Sequence, residues 1–65
     1  MERKEDRDIS SLLEIMGRLQ LTYDGLAKQI GVSRMTILNF MKYGVIPQVR
    51  TYYKISEYIK QKMHS

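Results

Sequence analysis

Apolar residues recur along this chain at three- and four-residue steps in four separate stretches, and polar residues fill the positions between them. That spacing is the signature of amphipathic helices. The first stretch is Ile9, Leu12, Leu13, Met16 and Leu19. Asp8 is placed to cap it, or Ser11 with Glu14 forms a capping-box pattern one turn later. Gly17 falls inside this helix, at a cost of about 1 kcal/mol relative to Ala. Thr22 then predicts a cap for a second helix from about Tyr23 to Ile30, with Leu26, Ala27 and Ile30 on its apolar side and Asp24 at its positive end. A third helix is predicted from about Arg34 to Lys42 or Tyr43. Its inward stripe is Ile37, Phe40 and Met41, which leaves Arg34, Met35, Leu38, Asn39 and Lys42 nearer the outside. Gly44 and Pro47 stop it, and Val45 and Ile46 are expected to close over the core. The last helix runs from about Val49 to Lys62. Val49, Tyr52, Ile55 or Ser56, Ile59 and Met63 mark its apolar side, and Tyr53 and Tyr58 fall off that stripe. No alternating strand pattern, internal repeat or low-complexity linker interrupts the series. The pattern predicts an all-α bundle of four helices.

The join between the second and third patterns organises the rest. Gly31 can take the left-handed conformation that ends a helix. Val32 can plug the corner, and Ser33 can cap the next helix by accepting a backbone N–H two or three residues on. Two helices joined by a three- to four-residue turn containing Gly form the outline of a helix-turn-helix.

Charge sharpens this picture. The chain has 65 residues and a net charge of +4. Residues 2–8 carry four acids and three bases, whereas residues from 9 onward carry eight bases and three acids, net +5. Residues 1–8 are therefore expected to be a flexible charged arm, and residues 9–65 the folded, basic domain. A basic domain favours a polyanionic partner. There is no Cys, and the single His is His64, so neither disulfides nor a metal site is expected. With no apolar run of membrane-spanning length and no signal-peptide core near Met1, a cytoplasmic protein is expected. Enzyme readings find little support. There is no Gly-rich phosphate loop, no paired carboxylates in a plausible pocket, and no Cys or internal His to serve as nucleophile or base. No cofactor or small-molecule ligand is expected.

The series Leu21-Thr22, Leu26-Ala27, Ile30-Gly31-Val32-Ser33, Thr36-Ile37, Gly44, Pro47, Tyr52-Tyr53-Lys54-Ile55 and Tyr58-Ile59 resembles the lambda-repressor-like, Cro-type helix-turn-helix family of bacterial and phage regulators. The resemblance covers roughly residues 9–62. It implies a compact four-helix (or five-helix) bundle and a DNA-binding transcriptional regulator, commonly dimeric on two-fold symmetric operators. It implies further that the third helix enters the major groove, with Ser33, Arg34, Met35 and Asn39 at base-reading positions. Thr22, Tyr23 and Thr36 map to the family's phosphate contacts, as do Lys42 and Tyr43 after the recognition helix. The chain departs from the family pattern in three ways. Tyr23 stands where Gln is common, Met41-Lys42 where an acid is common, and the interval from Gly31 to Gly44 is one residue longer than usual.

The side chains themselves fit that chemistry. Arg34 can donate twice to guanine O6 and N7, Met35 can touch a thymine methyl, and Asn39 can pair with adenine N6 and N7. The plain alternatives are a solvated or phosphate-bound Arg34, a partly buried surface Met35 and an ordinary exposed Asn39. Lys28, Lys42, Arg50 and Lys54 are further phosphate candidates. Tyr43 can donate its hydroxyl to phosphate or pack on the Gly44–Pro47 loop. The expected function is a sequence-specific regulator of transcription, a repressor by occlusion of double-stranded DNA. It would act as a homodimer through the last helix, at Tyr58, Ile59 and Met63, unless those same residues only finish the monomer core. The alternative is a helix-turn-helix used as a protein-interaction module, an adaptor or antirepressor.

Overall fold

The computed structural model of the chain describes residues 3–64. Four helices follow one another, α1 (Lys4–Leu19), α2 (Tyr23–Ile30), α3 (Arg34–Tyr43) and α4 (Val49–Met63), with no strand among the described residues. α1 packs mainly on α4 and α2 mainly on α3, while a smaller α2–α4 contact joins the two pairs.

Each helix supplies two buried side chains to one core: Leu12 and Ile15, Leu26 and Ala27, Ile37 and Phe40, Ile55 and Tyr58. Ile9, Met16, Leu21, Ile30, Val32, Met41, Tyr52 and Ile59 pack around this octet and are half-buried. Full burial of a Leu, Ile or Phe contributes about 1.5–3 kcal/mol, so these few side chains carry most of what stabilises a chain without cross-links.

The stripes differ from expectation at several points. In α1 the deepest residue after Leu12 is Ile15, and Leu13 and Leu19 lie at the surface. Because α1 packs mainly on α4, it needs only a narrow apolar seam, and the seam follows Ile9, Leu12, Ile15 and Met16. In α4 Tyr58 is buried at 7 % exposure while Val49, predicted inward, is 87 % exposed. Tyr58 can enter because its hydroxyl donates to Gln29 Oε1 at 2.6 Å, which leaves no buried side-chain polar atom unpaired among the described residues. Burial raises its pKa above the usual phenol value. Val45 and Ile46, expected to cover the core, lie at the surface.

α1 also begins earlier than expected. Helix starts at Lys4 and runs through the charged stretch, so the expected boundary between arm and domain falls inside α1; Met1 and Glu2 lie outside the described residues. Neither Asp8 nor Ser11 caps it, and the N-cap residue is Arg3, with no side-chain cap. A tertiary contact holds this turn instead. Tyr52 donates its hydroxyl to Asp8 Oδ2 at 2.6 Å. Lys4 Nζ lies 3.0 Å from the same oxygen and 4.8 Å from the centre of the Tyr52 ring. The ring in turn meets Phe40 edge-on, with centroids 5.5 Å apart. Burial first, and then the bond to Asp8 with its negative charge, pushes the Tyr52 hydroxyl well above the usual phenol pKa.

This linkage has a definite sign. The unfolded Tyr52 ionises near pH ~10, whereas the folded one keeps its proton to higher pH. Its stabilising contribution is therefore complete below that value and declines as pH rises beyond it. Tyr52→Phe removes a hydrogen bond to a carboxylate, which costs about 1.5–3 kcal/mol. Thermal melts at neutral pH should show Tm lower by at least about 6 °C. The same variant should lose less stability than the parent between neutral pH and the alkaline range.

Candidate nucleic-acid interface

The corner between α2 and α3 forms through the local chemistry that its residues carry. Gly31 takes φ 90°, a left-handed conformation. The Gly31 and Val32 N–H groups both donate to Ala27 O, at 2.8 and 3.0 Å, and so satisfy the end of α2. Val32 turns inward against the core. Ser33 is extended, and its Oγ accepts the Thr36 N–H at 3.1 Å. Its Oγ also lies 2.8 Å from Thr36 Oγ1. At the far end of α3, Gly44 takes φ 67°, and the Val45 N–H donates to Asn39 O at 3.0 Å.

These two stops fix what α3 shows to solvent. Arg34 is exposed and pairs with no acid among the described residues, and Met35 beside it is 62 % exposed. Ser33 is exposed and Thr36 half-buried, so their hydroxyls form one polar unit at the start of the helix. Asn39 is half-buried one turn further on, as is Leu38. Lys42 and Tyr43 are exposed at the end, Tyr43 at 75 %.

A second part of the surface comes from the start of α2. Thr22 Oγ1 accepts the Gly25 N–H at 3.1 Å and caps that helix. Tyr23 is half-buried against the core, and the Lys42 ammonium stands 5.7 Å from its ring centre. Tyr23 and Lys42, 19 residues apart in the chain, are thus neighbours. Ser33, Arg34 and Met35 gather at the opposite end of α3.

The other cations divide. Lys54 reaches Gly31 O at 3.4 Å, which sets its charge against the negative end of α2 rather than leaving it free. The distance and the exposure of the pair make it a weak bond. Lys28 lies 3.7 Å from Asp24, an exposed pair one helical turn apart. Arg50 is exposed and makes no ion pair among the described residues. Sequence reasoning misses the engagement of Lys54, because nothing local relates it to a carbonyl 23 residues away.

Across residues 22–54 there are five bases and one acid, Asp24, a net charge of +4. The acids of α1 and Glu57 lie outside this segment. Comparison with protein-family profiles, curated proteins and solved structures finds no match to the chain.

The start of α3 depends on one hydroxyl. Ser33→Ala removes the cap and should cost about 1 kcal/mol, lowering Tm by about 4–8 °C. Ser33→Asn keeps a capping acceptor and should melt within about 2 °C of the parent. If the two variants melt alike, the Ser33 side chain is not what holds the start of α3.

Proposed function

We propose that this chain is a sequence-specific double-stranded DNA-binding regulator of transcription. In this reading α2 and α3 form a helix-turn-helix of the lambda-repressor-like kind, and α3 reads the major groove. The observation that carries it is the outer surface of α3: an Arg34 that pairs with no acid among the described residues, beside an exposed Met35 at its start, with Lys42 at its end, in a segment holding a single acid. The order of Leu-Thr, Leu-Ala, Ile-Gly-Val-Ser and the later Pro47 supports the same family.

The dimensions are suitable. A helix of 10 residues is about 15 Å long and enters a major groove about 12 Å wide. Arg34 is the principal base reader, donating to guanine O6 and N7, with Met35 toward a thymine methyl and Asn39 toward adenine. The Ser33–Thr36 pair shares one hydrogen bond and keeps a second hydroxyl proton to donate to the DNA. Thr22, Tyr23, Lys42 and Tyr43 hold phosphates at the other end. Phosphate contacts set register without carrying sequence information. A single small module buries only about 600–1,000 Å² on DNA, so two copies on a two-fold site give the affinity that one lacks. Such a cytoplasmic homodimer represses by occluding its site. An adaptor or antirepressor would present an apolar or acidic outer α3; the cations on this one favour DNA.

Fluorescence anisotropy with labelled duplex DNA across a salt series tests this reading. Affinity should fall steeply as salt rises, because bound cations displace counterions from the phosphates. Absence of duplex binding at low salt overturns the proposal. Arg34→Ala should relax base preference at one position, by about 1–3 kcal/mol. Lys42→Ala should weaken all sequences alike and reduce the salt slope by about one. Selection of bound sequences from a random duplex pool reads both effects directly.

A further inference from the structure

Three lysines stand over tyrosine rings among the described residues: Lys4 over Tyr52 at 4.8 Å, Lys62 over Tyr58 at 5.7 Å and Lys42 over Tyr23 at 5.7 Å. A cation within about 6 Å of the ring centre is attracted by the negative face of the ring. In the first two cases the tyrosine hydroxyl is engaged inside the fold. Tyr52 donates to Asp8, which also holds Lys4, and Tyr58 donates to Gln29. The third case differs. Among the described residues the Tyr23 hydroxyl makes no hydrogen bond and the Lys42 ammonium no ion pair. Two departures from the Cro-type pattern meet here, Tyr23 in place of Gln and Lys42 where an acid is common. The pair is therefore a feature of this chain.

We propose that Tyr23 and Lys42 act as one phosphate clamp, in which the Tyr23 ring positions the Lys42 ammonium and both side chains donate to the same phosphodiester of duplex DNA. The proposal rests on the DNA-binding reading and divides the labour within it. Tyr23 is half-buried against the core, so its ring is fixed by packing. Lys42 is exposed, and a free lysine stem loses much rotamer freedom when it is ordered. A stem already held over a ring has less freedom left to lose on binding. The chemistry of the two open ends matches the ligand. A phosphate oxygen accepts from a phenol O–H and from an ammonium N–H alike, and neither donor has an acceptor within the described residues. The acid next to Tyr23 in the chain, Asp24, lies 3.7 Å from Lys28, which offsets its charge.

The clamp joins the start of α2 to the end of α3. Arg34 and Lys42 stand eight positions apart on α3, about 12 Å along its axis. A phosphate held at Lys42 thus fixes the register at which Arg34 meets the base edges.

Substitution separates the two roles of Tyr23. Tyr23→Phe keeps the ring and removes the hydroxyl, whereas Tyr23→Leu removes both. In the free chain, without DNA, the ring should shift the Lys42 Hε protons upfield in the NMR spectrum. That shift should persist in Tyr23→Phe and vanish in Tyr23→Leu. With duplex DNA, Tyr23→Phe should bind all sequences about tenfold more weakly, the loss of a hydrogen bond to a charged group. Tyr23→Leu should lose about a further threefold. On a Lys42→Ala background that further loss should disappear, because the ring then has no cation to place. A merely structural role for Tyr23 would instead weaken both backgrounds alike. The base preference at the Arg34 position should be unchanged by either variant. Unshifted Lys42 protons in the parent, equal binding by parent and Tyr23→Phe, or an equal Leu penalty with and without Lys42 each overturn the clamp. A chain that binds duplex DNA and gives any of these results keeps the DNA-binding reading and loses only the clamp, whereas a chain that binds no duplex loses both.

Discussion

Phe40 is the side chain on which the arrangement depends. It is fully buried on α3, inside the octet to which every helix gives two residues, and it meets the Tyr52 ring edge-on. Through Tyr52 the contact continues to Asp8 and Lys4, and so to the start of α1. One aromatic thus ties the helix that faces outward at the corner to α4 and to the first turn of the chain. With no disulfide to hold it, a domain of this size has a margin of only about 3–5 kcal/mol. A loosened Phe40 therefore affects the exposed face of α3 and the start of α1 together.

The inward and outward demands on α3 are met by different residues. Ile37 and Phe40 anchor it, while Arg34, Met35 and Lys42 take no part in the core. Changes on the outer side can therefore leave the core intact. Ser33 is the exception, because its hydroxyl caps the helix and adjoins Thr36 at the face proposed to meet DNA. α4 divides similarly. Ile55 and Tyr58 face in, and Val49 and Tyr53 face out, so one helix completes the core and offers an apolar surface. The cationic α3 face and the apolar elbow adjoin at Lys42–Tyr43 but have opposite chemistry.

Much of the local structure was legible in the residues. Thr22 and Ser33 cap α2 and α3 as their types and positions imply, and Gly31 and Gly44 take left-handed conformations where helix stops were expected. The inward pair Ile37 and Phe40 follows from spacing alone. The exposed Arg34, Met35 and Lys42 follow from the same spacing, as the other side of one helix. Where several apolar residues competed for one stripe, spacing could not choose. Leu12–Leu13 and Ile15–Met16 are adjacent pairs, and only the position of α4 decides that Leu12 and Ile15 go in while Leu13 stays out.

The sequence by itself determined four helical stretches, the caps of α2 and α3, the stops at Gly31 and Gly44, the corner at Gly31–Ser33 and the cationic outer side of α3. All of these follow from interactions spanning a few residues. Tertiary structure alone decided that Tyr58 replaces Val49 in the core, because Gln29 from α2 supplies the partner its hydroxyl needs. It decided that the charged stretch from Lys4 is helical, because Tyr52 from α4 holds Asp8. It also left Ile46, Val49 and Tyr53 uncovered, because α1 and α4 already close the core without them. Each of these outcomes depends on a pairing between residues far apart in the chain, and local periodicity does not encode such pairings.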